Sequence, residues 1–186
     1  MNISKELRMT VYSSMFAALI SVGAYLAIPI GPVPIVLQNI FVLMAAILLG
    51  TKWGGAALGL YLFMGACGFP VFAGGTGGLG RILGPTGGYL LGYIPAVLVT
   101  GLISDKIGKN IFGDIIAMFA GSLVVYIAGV PWLKLATGMT WDKVFIVGMY
   151  PFIIGDILKI VAAAYCIKFL RPLLDKNIVN KSIDNY

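Results

Sequence analysis

Long apolar stretches, separated by short polar, glycine-rich or proline-rich segments, make up most of the chain. A membrane-spanning helix needs about 20 predominantly apolar residues, and six stretches reach or approach that length. The predicted helices cover residues 7–28, 36–50, 54–68, 86–104, 111–128 and 144–170. The second and third are short and meet at a tight turn, Thr51-Lys52-Trp53, and two spans are favoured over one re-entrant hairpin. The pattern predicts an all-α fold, with one membrane domain over residues 1–186 built as a bundle of six transmembrane helices.

The composition agrees with a membrane protein and excludes several other classes. Hydrophobic residues make up 60% of the chain and charged residues 11%, whereas a soluble domain carries roughly 25% charged residues. The 13 Lys and Arg residues are scattered among apolar runs and form no basic face for a nucleic acid. The absence of His removes the Ser-His-Asp and Cys-His nucleophile systems. We therefore expect a protein that is not an enzyme, with no catalytic residue, metal ion or cofactor.

The distribution of basic residues predicts how the bundle is oriented. Cytoplasmic segments of membrane proteins carry an excess of Lys and Arg. With six spans, one side of the membrane holds Lys5, Arg8, Lys52, Lys106, Lys109, Lys168, Arg171, Lys176 and Lys181. The other side holds Arg81, Lys134 and Lys143. The excess predicts that both termini are cytoplasmic.

Further charged residues cluster at the predicted cytoplasmic turn between the fourth and fifth helices. They are Asp105, Lys106, Lys109 and Asp114. We interpret this cluster as a set of solvated residues that determine the topology.

Two external segments have an unusual composition. Residues 28–34 contain three prolines, which force an extended path. In the segment from Gly74 to Gly88, eight of the fifteen residues are glycine, and Arg81 lies within it and Tyr89 follows it. Irregular backbone at a membrane surface is tolerated where it lines a cavity or is buried in protein. The glycine-rich segment is either a flexible loop or, as we favour, the wall of a pocket that closes over a small ligand.

Asp156 and Lys159 are the strongest candidates for a functional site. They lie three residues apart on one face of the sixth predicted helix. Charged residues within a span cost roughly 2.5–3.5 kcal/mol each at the centre and generally face a cavity or each other. The pair could simply lock the bundle, but its helix starts at the same external face as the glycine-rich segment, which favours a ligand site. Gln38, with Asn39 beside it, opens the second helix at that face and is a further candidate.

Small residues recur at four-residue spacing along the first helix, at Ala17 and Ser21 and at Ser14 and Ala18. Such spacing allows two membrane helices to approach closely. The small face packs either inside the protein's own bundle or against another membrane subunit.

Several segments together resemble the BioY family, the biotin-binding S components of energy-coupling-factor (ECF) transporters. They are the glycine-rich segment GGTGGLGRILGPTGGY at 74–89, the proline-rich connection ending in Val-Leu-Gln-Asn at 36–39, and Gly-Asp-Ile-Leu-Lys at 155–159. The similarity runs from about Arg8 to Leu170. One departure is in the first helix, where Ala17-x-x-x-Ser21 replaces the AxxxA coupling motif of S components.

The resemblance implies the six-helix S-component fold, located as a multi-pass protein in the bacterial plasma membrane and surrounded by the lipid bilayer. It implies high-affinity capture of biotin from outside, with no ATPase of its own. The implied partners are an EcfT-type transmembrane coupling subunit, which would dock on Ala17 and Ser21, and two cytoplasmic ATPase subunits. The implied substrate-binding residues are Gln38, Gly78, Arg81, Gly88, Tyr89, Asp156 and Lys159.

Biotin's chemistry suits these residues. Its cyclic urea carries two N–H donors for Asp156 and a carbonyl acceptor for Lys159. Its carboxylate would meet Arg81, the glycine backbone and Tyr89 near the mouth. The alternatives are an S component for another vitamin, a solitary facilitator, a small membrane enzyme and a purely structural subunit.

We predict that the glycine-rich segment faces the outside of the cell. A cysteine introduced at Ala73, in a variant lacking Cys67 and Cys166, should react with membrane-impermeant thiol reagents applied to intact cells. Labelling of this variant only after lysis would reverse the predicted orientation.

Overall fold

The computed structural model describes residues 3–179, so Lys181 of the predicted cytoplasmic set lies outside the described residues. The chain forms seven helices and two short strands over this range. They are α1 (Ile3–Tyr25), β1 (Ala27–Ile28), β2 (Ile35–Val36), α2 (Gln38–Ala66), α3 (Leu79–Leu83), α4 (Gly87–Ile107), α5 (Ile111–Thr137), α6 (Trp141–Gly148) and α7 (Tyr150–Val179). The predicted all-α fold is confirmed.

Helix α2 consists of two arms that fold back on each other at Gly50. The backbone of Gly50 has φ 77° and ψ 174°, a conformation that glycine adopts without steric cost. A Cβ added to Gly54 would lie 2.8 Å from the carbonyl oxygen of Ala45. A continuous helix would hold residues 45 and 54 about 13.5 Å apart, at 1.5 Å per residue. The close approach therefore makes the two arms antiparallel, as the two short predicted spans require.

Five helices are long and apolar enough to cross a membrane. Counting the arms of α2 separately, the described residues contain six long helical segments. Several boundaries differ from prediction. Helix α1 lies a few residues earlier than residues 7–28, α5 continues to Thr137 with Pro131 inside it, and α7 continues to Val179. A break at Met149 divides the start of the last span into α6 and α7.

The proline-rich connection forms a small antiparallel ribbon at one end of the bundle. Strand β1 pairs with β2, Ala27 opposite Val36 and Ile28 opposite Ile35. The extended path expected from the prolines is thereby fixed by main-chain hydrogen bonds, and Val36 is held directly before the start of α2.

Close helix packing joins α4 to α5 through glycine. A Cβ at Gly88 would lie 2.2 Å from Cβ of Trp132, and a Cβ at Gly121 would lie 2.0 Å from the hydroxyl oxygen of Thr100. Any larger residue at these two positions would separate α4 from α5.

The interpretation of Asp114 as a solvated residue is wrong. Asp114 is 1% exposed, and its two carboxylate oxygens accept hydrogen bonds from one guanidinium nitrogen of Arg171, at 2.8 and 3.0 Å. The hydroxyl of Ser104 donates to the same carboxylate at 3.4 Å. Asp114 lies in the first turn of α5, between α4 and α7, where its charge is neutralised inside the protein.

Helix α1 also presents a different face from the one predicted for docking. Ala17 is 1% exposed and packs in the protein's own core, while Ser21 is half-buried and donates to the Ala17 carbonyl at 2.8 Å. The small residues Ser14 and Ala18 lie on the exposed side instead. Ala17 therefore packs inside the protein's own bundle, which is one of the two alternatives for the small face.

We predict that Arg171→Met lowers the free energy of unfolding by about 3–5 kcal/mol, because it leaves the Asp114 charge buried without a partner. Lys168→Met removes the same charge from an exposed position of the same helix and should have little effect. Adding Asp114→Asn to the Arg171→Met variant should restore part of the loss. Thermal unfolding in detergent measures all three, and equal melting of Arg171→Met and Lys168→Met would contradict the prediction.

Candidate functional site

A cavity opens at the end of the bundle that carries the β1–β2 ribbon and the glycine-rich segment. The empty space in the cavity, together with the open space at its mouth, is about 840 Å³. Helices α2, α3, α4, α5 and α7 and both connecting segments contribute to its wall. The residues that line it include Gln38, Asn39, Phe72, Arg81, Tyr89, Ser122, Tyr126, Phe152, Asp156 and Lys159.

A network of polar side chains surrounds Asp156 within this wall. The Asn39 amide donates to Asp156 Oδ1 at 2.7 Å, and the Tyr126 hydroxyl donates to Oδ2. The Lys159 ammonium donates to Oδ1 at 3.1 Å. The side chains of Lys159 and Asp156 are 13% and 10% exposed, so the pair is largely removed from solvent.

Lys159 has two further acceptors within the protein. Its ammonium donates to the Val36 carbonyl at 2.7 Å and to Asn39 Oδ1 at 3.3 Å. An ammonium has three N–H donors, and each therefore has an acceptor. Burial of an ion pair is tolerated when such additional hydrogen bonds satisfy the remaining groups. The pair thus joins α7 to the start of α2 and to the ribbon.

Arg81 supplies a separate positive charge at the cavity mouth. It is exposed on α3 and, within the described part of the chain, its guanidinium makes no hydrogen bond or ion pair. The loop after α3 is tied to α5 because Trp132 Nε1 donates to the Gly84 carbonyl at 2.9 Å. The backbone around Arg81 is therefore held in place, while its guanidinium is available to bind a ligand.

Phe72 anchors the glycine-rich segment on the bundle. Its ring is 1% exposed and lies edge-on to Tyr61, with ring centroids 5.5 Å apart. The ring occupies the space next to Gly65, where a Cβ would come within 2.1 Å of it. The segment thus forms a fitted wall of the cavity, to which Phe72, Ala73, Thr76 and Arg81 contribute.

Five of the residues predicted to bind substrate line the cavity: Gln38, Arg81, Tyr89, Asp156 and Lys159. Gly78 and Gly88 are not among the lining residues. Gly78 has φ 93° and its N–H donates to the Gly65 carbonyl at 2.7 Å, which holds the glycine-rich segment on α2. Gly88 allows the close packing on Trp132 described above.

The structure also changes the role expected for Tyr89. Its single O–H donates to the Gly148 carbonyl at 2.8 Å, so it has no second proton for a ligand carboxylate. Tyr89 contributes its ring to the wall and ties α4 to the end of α6.

Sequence reasoning did not assign two members of the network, Asn39 and Tyr126. Asn39 was noticed only as the neighbour of Gln38. Tyr126 gives no signal, because an aromatic residue in an apolar helix is ordinarily part of the core. Only the packing of α2, α5 and α7 brings both side chains to Asp156.

The fold and the cavity define a small membrane protein with a binding site at one end of a helical bundle. The sequence model of the BioY family matches residues 1–176, and the chain belongs to this family. It is therefore a multi-pass protein of the cell membrane.

Named relatives and a solved structure agree with this assignment. The chain is 40% identical over 168 residues to the biotin transporter BioY of Thermotoga maritima, covering 90% of this chain and 98% of the relative. It is 42% identical over 150 residues to a probable biotin transporter BioY of Pyrococcus horikoshii, covering 81% and 88%. A 2.1 Å crystal structure of the S-component for biotin from an ECF-type ABC transporter superposes with a TM-score of 0.86. That structure is 32% identical, and the match covers 92% of this chain and 95% of the other.

Proposed function

We propose that this protein is the substrate-capture subunit of an ECF-type transporter and binds biotin with high affinity in the cavity. The observation that carries the proposal is the buried Asp156–Lys159 network in the wall of a cavity that has an available arginine at its mouth. The groups of biotin are complementary to this arrangement, because biotin has a polar cyclic urea at one end and a carboxylate at the other. The similarity to biotin transporters over most of the chain supports the choice of ligand.

Asp156 is the proposed acceptor for the urea N–H groups. Its two oxygens accept three hydrogen bonds from the protein, and a carboxylate offers roughly four acceptor positions. At least one position is therefore left for a ligand N–H. The hydrogen bonds from Lys159 and Asn39 hold the carboxylate in a fixed orientation.

Arg81 is the proposed partner of the ligand carboxylate. A guanidinium can bind a carboxylate through two parallel N–H···O bonds, and Arg81 makes no competing ion pair within the described residues. The rings of Phe72, Tyr89 and Phe152 would contact the apolar part of the ligand between the two polar ends.

Transport energy would come from partner proteins. We propose an EcfT-type transmembrane coupling subunit and two cytoplasmic ATPase subunits, with both termini of this chain on the cytoplasmic side. The exposed face of α1, with Ser14 and Ala18, is the proposed contact with the coupling subunit.

Calorimetric titration of the detergent-purified protein with a panel of vitamins tests the ligand. We expect saturable one-to-one binding of biotin alone. Arg81→Gln should weaken biotin binding about 10- to 100-fold, the range for losing a charged hydrogen bond. It should change binding of biotin methyl ester, which has no carboxylate, by less than about threefold.

Lys143→Gln is the matched control, because it removes an exposed basic residue that does not line the cavity. Its biotin affinity should equal that of the wild type. Binding of a different vitamin, or an equal effect of Arg81→Gln on acid and ester, would contradict the corresponding part of the proposal.

Tryptophan substitutions on α1 test the docking surface. Ala18→Trp should preserve thermal stability and biotin binding but abolish uptake and co-purification with the coupling subunit, because close helix approach needs small side chains. Ala17→Trp should instead destabilise the protein, because Ala17 is buried in its own core. Normal uptake by the Ala18→Trp and Ser14→Trp variants would exclude this face.

A further inference from the structure

Four buried side-chain polar atoms have no hydrogen-bond partner within the described part of the chain. They are Gln38 Nε2, Tyr61 OH, Thr100 Oγ1 and Ser122 Oγ. Burying a polar group without a partner costs about 1–3 kcal/mol, so native proteins contain few of them. Gln38 and Ser122 line the cavity, whereas Tyr61 and Thr100 are not among its lining residues. A ligand could satisfy the first two.

Ser122 lies on the cavity side of α5, one helical turn from Tyr126. Residues four apart occupy the same face of a helix, and the Tyr126 hydroxyl donates to Asp156. Ser122 is on the side of Tyr126 away from the mouth, because the later part of α5 packs against Tyr89 and Gly88. Ser122 therefore lines the cavity one helical turn deeper than Tyr126.

The strongest donors near Asp156 are already engaged. All three N–H groups of Lys159 have acceptors in the protein, and the single O–H of Tyr126 is directed to Asp156. A carbonyl acceptor on the ligand would have to displace one of these contacts or find a donor elsewhere. The Ser122 hydroxyl and the Gln38 amide are both unused and buried, at 8% and 2% exposure.

We propose that Ser122 is a specificity-determining residue that donates a hydrogen bond to the carbonyl oxygen of the ligand's cyclic urea, with the Gln38 amide as second donor. Asp156 accepts a urea N–H on the other side of the ring. This assignment rests on biotin being the ligand. It makes Lys159 a positioning residue, which holds Asp156 in place, rather than the donor to the urea carbonyl.

Two matched variants separate a ligand role from a structural one. Ser122→Ala and Thr100→Val each remove an unpartnered buried hydroxyl from the bundle. Neither should lower the melting temperature without ligand, because no protein hydrogen bond is lost. Ser122→Ala should weaken biotin binding about 5- to 100-fold, since the urea carbonyl would be buried without a donor. Thr100→Val should bind biotin like the wild type.

Ligand analogues identify the atom that Ser122 contacts. Desthiobiotin lacks the sulfur but keeps the urea, so the loss caused by Ser122→Ala should persist. In the cationic form of 2-iminobiotin the carbonyl acceptor is replaced by an N–H donor, so the Ser122 hydroxyl can no longer donate there, and the loss should be smaller than with biotin. Gln38→Glu, which replaces an amide donor by an acceptor of the same shape, should weaken biotin and strengthen 2-iminobiotin in its cationic form.

The outcomes distinguish this inference from the proposed function. The wild type could bind biotin while Ser122→Ala binds it equally well, or while Ser122→Ala loses as much affinity for 2-iminobiotin as for biotin. Either result would overturn the assignment of Ser122 and leave the proposed function intact. A loss seen with biotin but absent with desthiobiotin would assign Ser122 to the sulfur and overturn the carbonyl contact. A wild type that binds no biotin would overturn both.

Discussion

The buried ion pair between Asp156 and Lys159 is the constraint on which the rest of the site depends. Two charges inside a membrane bundle are tolerated only when they neutralise each other and their remaining hydrogen-bonding capacity is satisfied. Asn39, Tyr126 and the Val36 carbonyl meet that requirement, and each comes from a different element. The pair therefore fixes the positions of α2, α5, α7 and the ribbon relative to one another. Because these elements are held in place, the polar groups of the cavity wall occupy defined positions.

Two buried ion pairs occur within the described residues, and they lie in different surroundings. Asp114 and Arg171 join α5 to α7 without lining the cavity, and Ser104 adds a hydrogen bond from α4. Asp156 and Lys159 join the same two helices through Tyr126 at the cavity. The first pair joins helices and contributes no residue to the wall of this cavity. The second keeps acceptor capacity facing open space, which a binding site needs.

Sequence reasoning located the main parts of the site because charge within an apolar helix is costly and therefore informative. Asp156 and Lys159 are predicted on that ground and Arg81 by its place in the glycine-rich segment, and all three line one cavity. The same reasoning failed for Asp114, since a carboxylate near a predicted turn has the pattern of a solvated residue. Its burial depends on Arg171, which lies 57 residues away. Ala17 and Ser21 are predicted as a docking surface from their spacing. Spacing shows that one face of a helix carries small residues, but it does not show which neighbouring helix packs against that face.

The sequence by itself determined the class of fold, the approximate spans and the two polar ends of the site, because hydropathy and the cost of buried charge act locally along the chain. Only the tertiary structure decided that the reversal predicted at Thr51-Lys52-Trp53 is made at Gly50, that Asn39 and Tyr126 complete the Asp156 network, and that the Tyr89 hydroxyl donates to the Gly148 carbonyl. These features depend on which side chains face each other between helices distant in sequence. Hydrogen-bond partners at that range are selected by packing geometry, and a linear pattern of residue types does not encode packing geometry directly.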